Sequence, residues 1–209
     1  LGAIADHKNR KKPLFTFFMM MGVLGCAGLA LPTGIIAFLA VFVIAKVGFS
    51  GSLIFYDSML VDVTTDERMD EVSSQGFAWG YIGSCVPFVI SLLLILGADT
   101  IGLSGTAPMM IAFAINAAWW GLVTIPLLRN YKQNYYVKST GRITAKQSLS
   151  QLAEIFGEIK NDKKVLLFLL SFFFYIDGVY TIIEMATSYG KDVGISDTSL
   201  LLALLLTQI

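Results

Sequence analysis

The sequence predicts an all-α, polytopic transmembrane helix bundle, and three observations support this prediction. Of the 209 residues, 56% are hydrophobic and 14% are charged, whereas a soluble domain carries about 25% charged residues. The mean hydropathy of the chain is +0.71. The apolar residues are also concentrated in long runs, several of which approach the roughly 20 residues that a helix needs to cross the hydrocarbon of a bilayer. Lipid is therefore the predicted solvent of most of this chain.

Five runs have the length, or nearly the length, expected of membrane spans: residues 14–31, 35–59, 77–98, 107–128 and 165–189. A sixth run begins at residue 200 and stops at residue 209, after ten residues. A helix that ends within hydrocarbon leaves carbonyl groups without hydrogen-bond partners. We therefore expect a bundle that is truncated at both ends, since the sequence also begins without Met.

The basic residues are distributed unequally between the two predicted sides of the membrane. Apart from Lys46, which lies within a run, thirteen of the fourteen Lys and Arg fall on one side when the five spans alternate in direction. Lys191 alone falls on the other side. Cytoplasmic loops carry the excess of Lys and Arg, so the basic side is predicted to be cytoplasmic. The formal net charge is +0, which gives no overall field to attract nucleic acid.

Residues 129–164 form the longest predicted loop, which is basic and cytoplasmic. Apolar residues recur in it at helical spacing: Leu149, Leu152, Ile155, Phe156 and Ile159. This spacing predicts an amphipathic helix at the membrane surface or against the bundle. Two interpretations stay open, a plain connector helix between two bundles and a helix that senses lipid or a partner.

Charged residues inside the predicted spans are the strongest candidates for function. Lys46 lies eleven residues after the start of its span and Asp177 twelve after the start of its own, so both are about 16–18 Å from a membrane face. The two spans run in opposite directions, which places both charges near the bilayer midplane. A charge there costs at least about 2.5 kcal/mol, so it usually faces a polar cavity or a partner.

Two interpretations of Lys46 and Asp177 stay open. They form a substrate-binding or proton-coupling pair, or they are a structural ion pair or residues that never meet. Glu184 lies seven residues beyond Asp177 on the same helix face, and two interpretations stay open: it extends a polar track, or its side chain reaches the outer membrane surface. Tyr175 and Asn116 are further candidates for the same pathway.

Small residues at helical spacing predict close helix packing in lipid. They occur as Gly22, Gly25 and Gly28 in the first span and as Gly76, Gly80 and Gly83 in the third. For catalysis or metal binding the sequence offers little, because its one histidine, His7, has no cysteine or second histidine near it. We expect no enzyme, no metal site and no cofactor.

Three stretches resemble a known family. Residues 2–12, Gly-Ala-Ile-Ala-Asp-His-Lys-Asn-Arg-Lys-Lys, resemble the loop signature between helices two and three of the major facilitator superfamily, G-x-x-x-D-[RK]-x-G-R-[RK]-[RK]. His7 and Asn9 depart from its usual basic residue and glycine. Residues 55–57 with 72–83, and residues 175–181, are similar to the branch with the autophagy-linked vacuolar amino-acid effluxers and their bacterial relatives. Gln75 stands where that branch commonly has arginine.

The resemblance implies a twelve-helix fold of which this chain covers about helices three to eight. Residues 1–128 would then end the N-terminal six-helix bundle, 129–164 would connect the halves, and 165–209 would begin the C-terminal bundle. Lys46 and Asp177 would fall on the helices that line the central cavity. The loop signature, represented by Gly2, Asp6, Arg10 and Lys11, would act as a gate, with Asp6 and Arg10 locking an outward-facing state.

We therefore expect an integral membrane protein that is a secondary active transporter. It would move a small polar solute, an amino acid by resemblance, through alternating access, and a proton would be coupled through the charged pair. Its partners would be the lipid bilayer, the small-molecule substrate and the missing helices of the full-length chain, with no nucleic acid. Its location would be the bacterial inner membrane, or the vacuolar membrane in a eukaryote. A membrane receptor or sensor that does not transport is the alternative.

Overall fold

The computed structural model describes residues 2–31, 34–136 and 145–207. The regular elements within these residues are helices, and two short 3-10 turns, Asp66–Arg68 and Ala98–Ile101, lie on either side of the fifth α-helix. In chain order the α-helices are α1 (Gly2–Ala5), α2 (Lys11–Gly28), α3 (Ile35–Ser58), α4 (Leu60–Val63), α5 (Met69–Leu96), α6 (Ala107–Asn130), α7 (Ala145–Asn161), α8 (Lys163–Asp192) and α9 (Asp197–Leu206).

Four helical segments of the described residues are long and apolar enough to cross a membrane: Ile35–Ser58, Asp66–Leu96, Ala107–Asn130 and Lys163–Asp192. They overlap the second to fifth predicted spans, but the segment Asp66–Leu96 begins well before the predicted start of the third span at residue 77. Large apolar side chains stand exposed along them, such as Trp79 at 70% and Phe168 at 66%. Such a surface is stable in lipid and unfavourable in water. The predicted fold class, a polytopic transmembrane helix bundle, is confirmed.

The two ends of the chain have shorter helices. Helix α2 occupies the first predicted span, 14–31, but its 18 residues begin with Lys11 and Lys12, so it is less apolar than the four segments above. Helix α9 has ten residues and begins three residues before the predicted partial span, 200–209. The predicted division into two bundles and a connector stays a prediction.

The described residues form two compact units, the first made of residues 2–31, 34–136 and 205–207 and the second of residues 145–204. In the first unit α2 packs against α3 and α6, and α5 packs against α6. Its buried apolar core contains Phe15, Met19, Phe55, Met59 and Tyr131. These residues lie where the N-terminal half of α2 meets the C-terminal ends of α3 and α6. In the second unit α7 contacts α8.

Glycines bring the backbones of α2 and α3 together. A Cβ added at Gly25 would lie 2.8 Å from the Cα atom of Ala45, and one added at Gly48 would collide with the backbone of Gly22. Without a strong hydrophobic force between helices in lipid, such close van der Waals packing is a main source of association. The packing role predicted for Gly22 and Gly25 is confirmed.

The glycines of α5 have a different environment. A Cβ added at Gly76, Gly80 or Gly83 would meet nothing within 4 Å. Gly76 and Gly80 instead line an open groove of about 660 Å³ between α3 and α5, together with Asp57 and Tyr81. These three glycines therefore pack against no neighbour in the described part of the chain. Their packing role stays a prediction.

We expect Gly25→Ala to destabilise the protein, because the new methyl group would force α2 away from the backbone of α3. Overpacking of this kind typically costs about 1–3 kcal/mol. Gly121→Ala is the matched control, since its Cβ would lie 3.8 Å from the nearest atom, Cγ1 of Val23. Alanine is also the better helix former by about 0.5–1 kcal/mol. Thermal unfolding in detergent should show a lower midpoint for Gly25→Ala alone, and equal midpoints for both variants would contradict the close approach.

Candidate functional site

A buried carboxylate, Asp62 in α4, accepts hydrogen bonds from two segments that are distant from it in the chain. Its Oδ2 atom accepts hydrogen bonds from Nζ of Lys11 at 2.9 Å and from the hydroxyl of Tyr131 at 2.6 Å. Its Oδ1 atom accepts from the backbone N–H groups of Asn134 at 2.8 Å and Tyr135 at 2.7 Å. We call these five residues the Asp62 cluster. It joins the start of α2, the chain after α3 and the chain after α6.

The Lys11–Asp62 ion pair in this cluster is withdrawn from solvent. The side chain of Lys11 is 5% exposed and that of Asp62 is 0% exposed. Nζ of Lys11 also donates to the carbonyl oxygen of Ser58 at 3.0 Å, so the ammonium group has two acceptors. Burying two charges is costly unless the remaining polar atoms are also satisfied. Here the hydrogen bonds supply that compensation.

The titration of Asp62 and Tyr131 reflects this arrangement. Burial by itself would raise the pKa of Asp62, but the hydrogen bonds from Tyr131, Tyr135, Lys11 and Asn134 outweigh it and hold the pKa below its usual value. For Tyr131, burial, the hydrogen bond to Asp62 and the nearby negative charge all raise the pKa of the phenol. Asp62 is therefore ionised and Tyr131 protonated at neutral pH, as their hydrogen bond requires.

Gln133 extends the contact to the loop that precedes α2. Its Nε2 group donates to the carbonyl oxygen of Ala5 at 3.2 Å. Its Oε1 atom accepts from the backbone N–H of Arg10 at 3.1 Å and of Lys11 at 3.4 Å. The segment after α6 therefore holds the N-terminal loop directly through Gln133 and indirectly through Asp62.

Of the predicted gating residues, Lys11 belongs to the Asp62 cluster, and Arg10 is held near it by the hydrogen bond from its backbone N–H to Gln133. The side chain of Lys11 enters it, whereas Asp6 and Arg10 are exposed. Within the described residues neither of these two side chains has a polar partner. Gly2 begins α1, and its carbonyl oxygen accepts from the N–H of Asp6 at 3.2 Å. The lock predicted for Asp6 and Arg10 is not formed among these residues and stays a prediction.

Asn9 explains one departure from the loop signature. Its φ is 59°, which lies in the left-handed region that favours glycine. Asparagine is among the few other residues that adopt this conformation readily. Asparagine at this position is therefore compatible with a backbone conformation that glycine also adopts readily.

The membrane-embedded candidates of the first unit are Lys46 and Asn116. Lys46 lies on an exposed face of α3. Asn116 in α6 donates from Nδ2 to Oγ of Ser91 in α5 at 3.1 Å and to the carbonyl oxygen of Ala112 at 2.8 Å. Asn116 therefore links two helices in this structure.

The candidates of the second unit, Tyr175, Asp177 and Glu184, all lie on α8. Tyr175 is 67% exposed, and Asp177 is also exposed. Lys46 and Asp177 belong to different units, so their pairing stays a prediction.

Sequence reasoning missed Asp62, Tyr131 and Asn134. A usable signal was present, because Asp62 is the one carboxylate within the apolar stretch Leu60-Val61-Asp62-Val63. A charge placed so close to a span end needs a partner, and Lys11 was already prominent in the basic N-terminal loop.

Comparison with known proteins adds three findings. Residues 61–209 match the family described as vacuole effluxer Atg22 like. YxiO of Bacillus subtilis (strain 168), named an uncharacterized MFS-type transporter, is 46% identical over 213 aligned residues, which cover 100% of this chain and 50% of YxiO. An uncharacterized protein of Aquifex aeolicus (strain VF5) is 27% identical over 195 residues, covering 92% of this chain and 44% of that protein.

The chain therefore spans about half the length of the curated relatives it matches. No solved structure matches it.

We expect Asp62→Asn to destabilise the protein by about 3–5 kcal/mol, because it leaves the ammonium group of Lys11 buried without its counter-charge. The measurement is the midpoint of thermal unfolding in detergent at neutral pH. Asp66→Asn is the control, since Asp66 is exposed and its charge is solvated. A midpoint for Asp62→Asn that equals that of Asp66→Asn would show that the cluster does not stabilise the fold.

We also expect the stability that the Asp62 cluster provides to depend on pH. In the folded protein the pKa of Asp62 lies below 3.8, its usual value. The ionised carboxylate therefore contributes its full share to the stability of the fold above pH 3.8, and this share is lost as the pH falls through the lower pKa of the folded state. We therefore expect the difference in unfolding midpoint between the wild type and Asp62→Asn to be constant near neutrality and to shrink as the pH falls below about 4. A difference that stays constant down to pH ~2 would contradict this origin.

Proposed function

This chain belongs to the Atg22-like vacuole effluxer family, as the resemblance of its sequence implied, and from that premise we propose that it is part of a secondary active transporter. The transporter would move a small polar solute across the membrane by alternating access, which is the mechanism of related folds built from two halves. The description of the family as effluxers and the name of YxiO as an MFS-type transporter support transport in general.

The observation that carries the proposal is the position of two charges along their helices. Lys46 is the twelfth of the 24 residues of α3, and Asp177 is the fifteenth of the 30 residues of α8. Each therefore stands at the middle of a helix that is long enough to cross the bilayer. A charge at that depth costs at least about 2.5 kcal/mol in lipid, and such residues commonly mark a substrate or proton pathway.

An amino acid is the solute that we propose. Its carboxylate complements the ammonium group of Lys46, and its ammonium group complements the carboxylate of Asp177. Protonation of Asp177 would remove one of these attractions, which would couple release of the solute to movement of a proton. Tyr175 and Glu184, on the same helix as Asp177, would extend the polar route.

The Asp62 cluster would serve the conformational change. Alternating access moves whole groups of helices against each other as rigid bodies. The cluster ties the start of α2 to the chain after α3 and after α6, so these helix ends would move together. Asp6 and Arg10 are exposed beside it and would be available to contact the opposite half of the full-length protein.

The test is flux through the full-length protein in proteoliposomes, with a labelled amino-acid mixture inside and an imposed pH gradient. We expect Asp177→Asn to reduce gradient-driven flux by about tenfold or more, since the amide can neither take up a proton nor make a charge-assisted hydrogen bond to the solute's ammonium group. Asp192→Asn is the matched control, because Asp192 is the last residue of the same helix. It should leave flux unchanged.

Two outcomes would overturn parts of the proposal. If gradient-driven flux survives in Asp177→Asn, Asp177 does not couple the solute to the proton. If the wild-type protein binds amino acids but never moves them, it is a receptor or sensor on this fold and the transport proposal is wrong.

A further inference from the structure

The amphipathic helix α7 ends one residue before a membrane-crossing helix begins. Asp162 stands alone between α7 and α8, and its Oδ1 atom accepts hydrogen bonds from the backbone N–H groups of Lys164 at 3.0 Å and Val165 at 3.3 Å. This side-chain cap fixes the start of α8. Because α8 is long and apolar enough to cross the membrane, the C-terminal end of α7 is held at the depth where a span begins.

One face of α7 is apolar and exposed within its unit. Ile155 is 50% exposed and Phe156 is 70% exposed, and both lie on the stripe that the helical spacing predicts. Glu154 lies two residues from Phe156, which is about 200° around a helix, so it occupies the opposite face. A helix with one apolar and one charged face, held beside a span, is suited to lie in the membrane interface.

The charges near α7 favour a lipid surface that is anionic. Residues 129–164 contain eight Lys and Arg and three Asp and Glu. Lys160, at the end of α7, and Lys163 and Lys164, at the start of α8, are all exposed. The cytoplasmic leaflet is anionic, and each lysine near such a surface strengthens binding by about fivefold. The basic residues at this junction are therefore complementary to lipid phosphates.

We propose that α7 is an interfacial helix that binds an anionic lipid surface. Ile155 and Phe156 lie among the upper acyl chains, and Lys160, Lys163 and Lys164 contact headgroup phosphates at the point where α8 enters the bilayer. The proposal assigns a lipid-binding surface to α7 of the second unit, independently of which solute the protein moves. This role differs from that of a plain connector helix, which would join two bundles without binding lipid.

Spin-label accessibility in the full-length protein tests this proposal. A nitroxide is attached at Phe156→Cys or, as the matched control on the opposite face, at Glu154→Cys, with all native cysteines including Cys26 and Cys85 replaced by Ser. The protein is reconstituted in vesicles of phosphatidylcholine with phosphatidylglycerol, or of phosphatidylcholine alone. Collisions with oxygen report lipid, and collisions with a water-soluble nickel chelate report solvent.

In the anionic vesicles, the label at position 156 should collide mainly with oxygen and the label at position 154 mainly with the chelate. Omitting phosphatidylglycerol, or replacing Lys160, Lys163 and Lys164 by Gln, should shift the label at position 156 towards the chelate. A label at position 156 that is open to the chelate in anionic vesicles would place α7 in water and overturn the proposal. One shielded from both reagents would show α7 packed on protein, which also overturns it. Indifference to both the lipid charge and the lysines would overturn the headgroup contact.

Discussion

The first unit depends on keeping one buried carboxylate ionised. Removing Asp62 from water would raise its free energy by several kcal/mol unless other groups replace the lost hydration. Four donors do so, and they come from the start of α2 and from the segment after α6. The cluster forms only when these parts of the chain meet, so its geometry fixes where the ends of α2, α3 and α6 lie.

The rest of the unit follows from having lipid as its solvent. Apolar side chains gain little from burial when the surroundings are also apolar, so the helices associate through shape and through polar contacts. The close approach at Gly25 and Gly48 is one such contact. The hydrogen bond from Asn116 to Ser91 between α5 and α6 is another. Lipid also explains why side chains such as Trp79 stand outside the core.

The proposed transport would use the few charges that are costly to place inside a bilayer. Lys46 and Asp177 stand at the midpoints of their helices, where a charge needs a polar route or a partner. The lysines at the start of α8 stand at the edge of the bilayer, where anionic headgroups favour them. The Asp62 cluster lies just past the C-terminal ends of α3 and α6 and joins the loop signature to them through Lys11.

The sequence by itself predicted the helical fold class and the order of its long apolar helices, because bilayer thickness and the need to satisfy every backbone hydrogen bond act on each segment locally. It also predicted the packing of Gly22 and Gly25, and it placed Lys11 in the loop signature. Only the tertiary structure decided the partner of Lys11, since Asp62 lies 51 residues away in the chain and no periodicity relates them. The glycines of α5 have similar spacing to those of α2, but in the described residues no other helix approaches them closely. Glycine permits a close approach between helices without specifying which helix approaches, so the sequence could not tell the two sets apart.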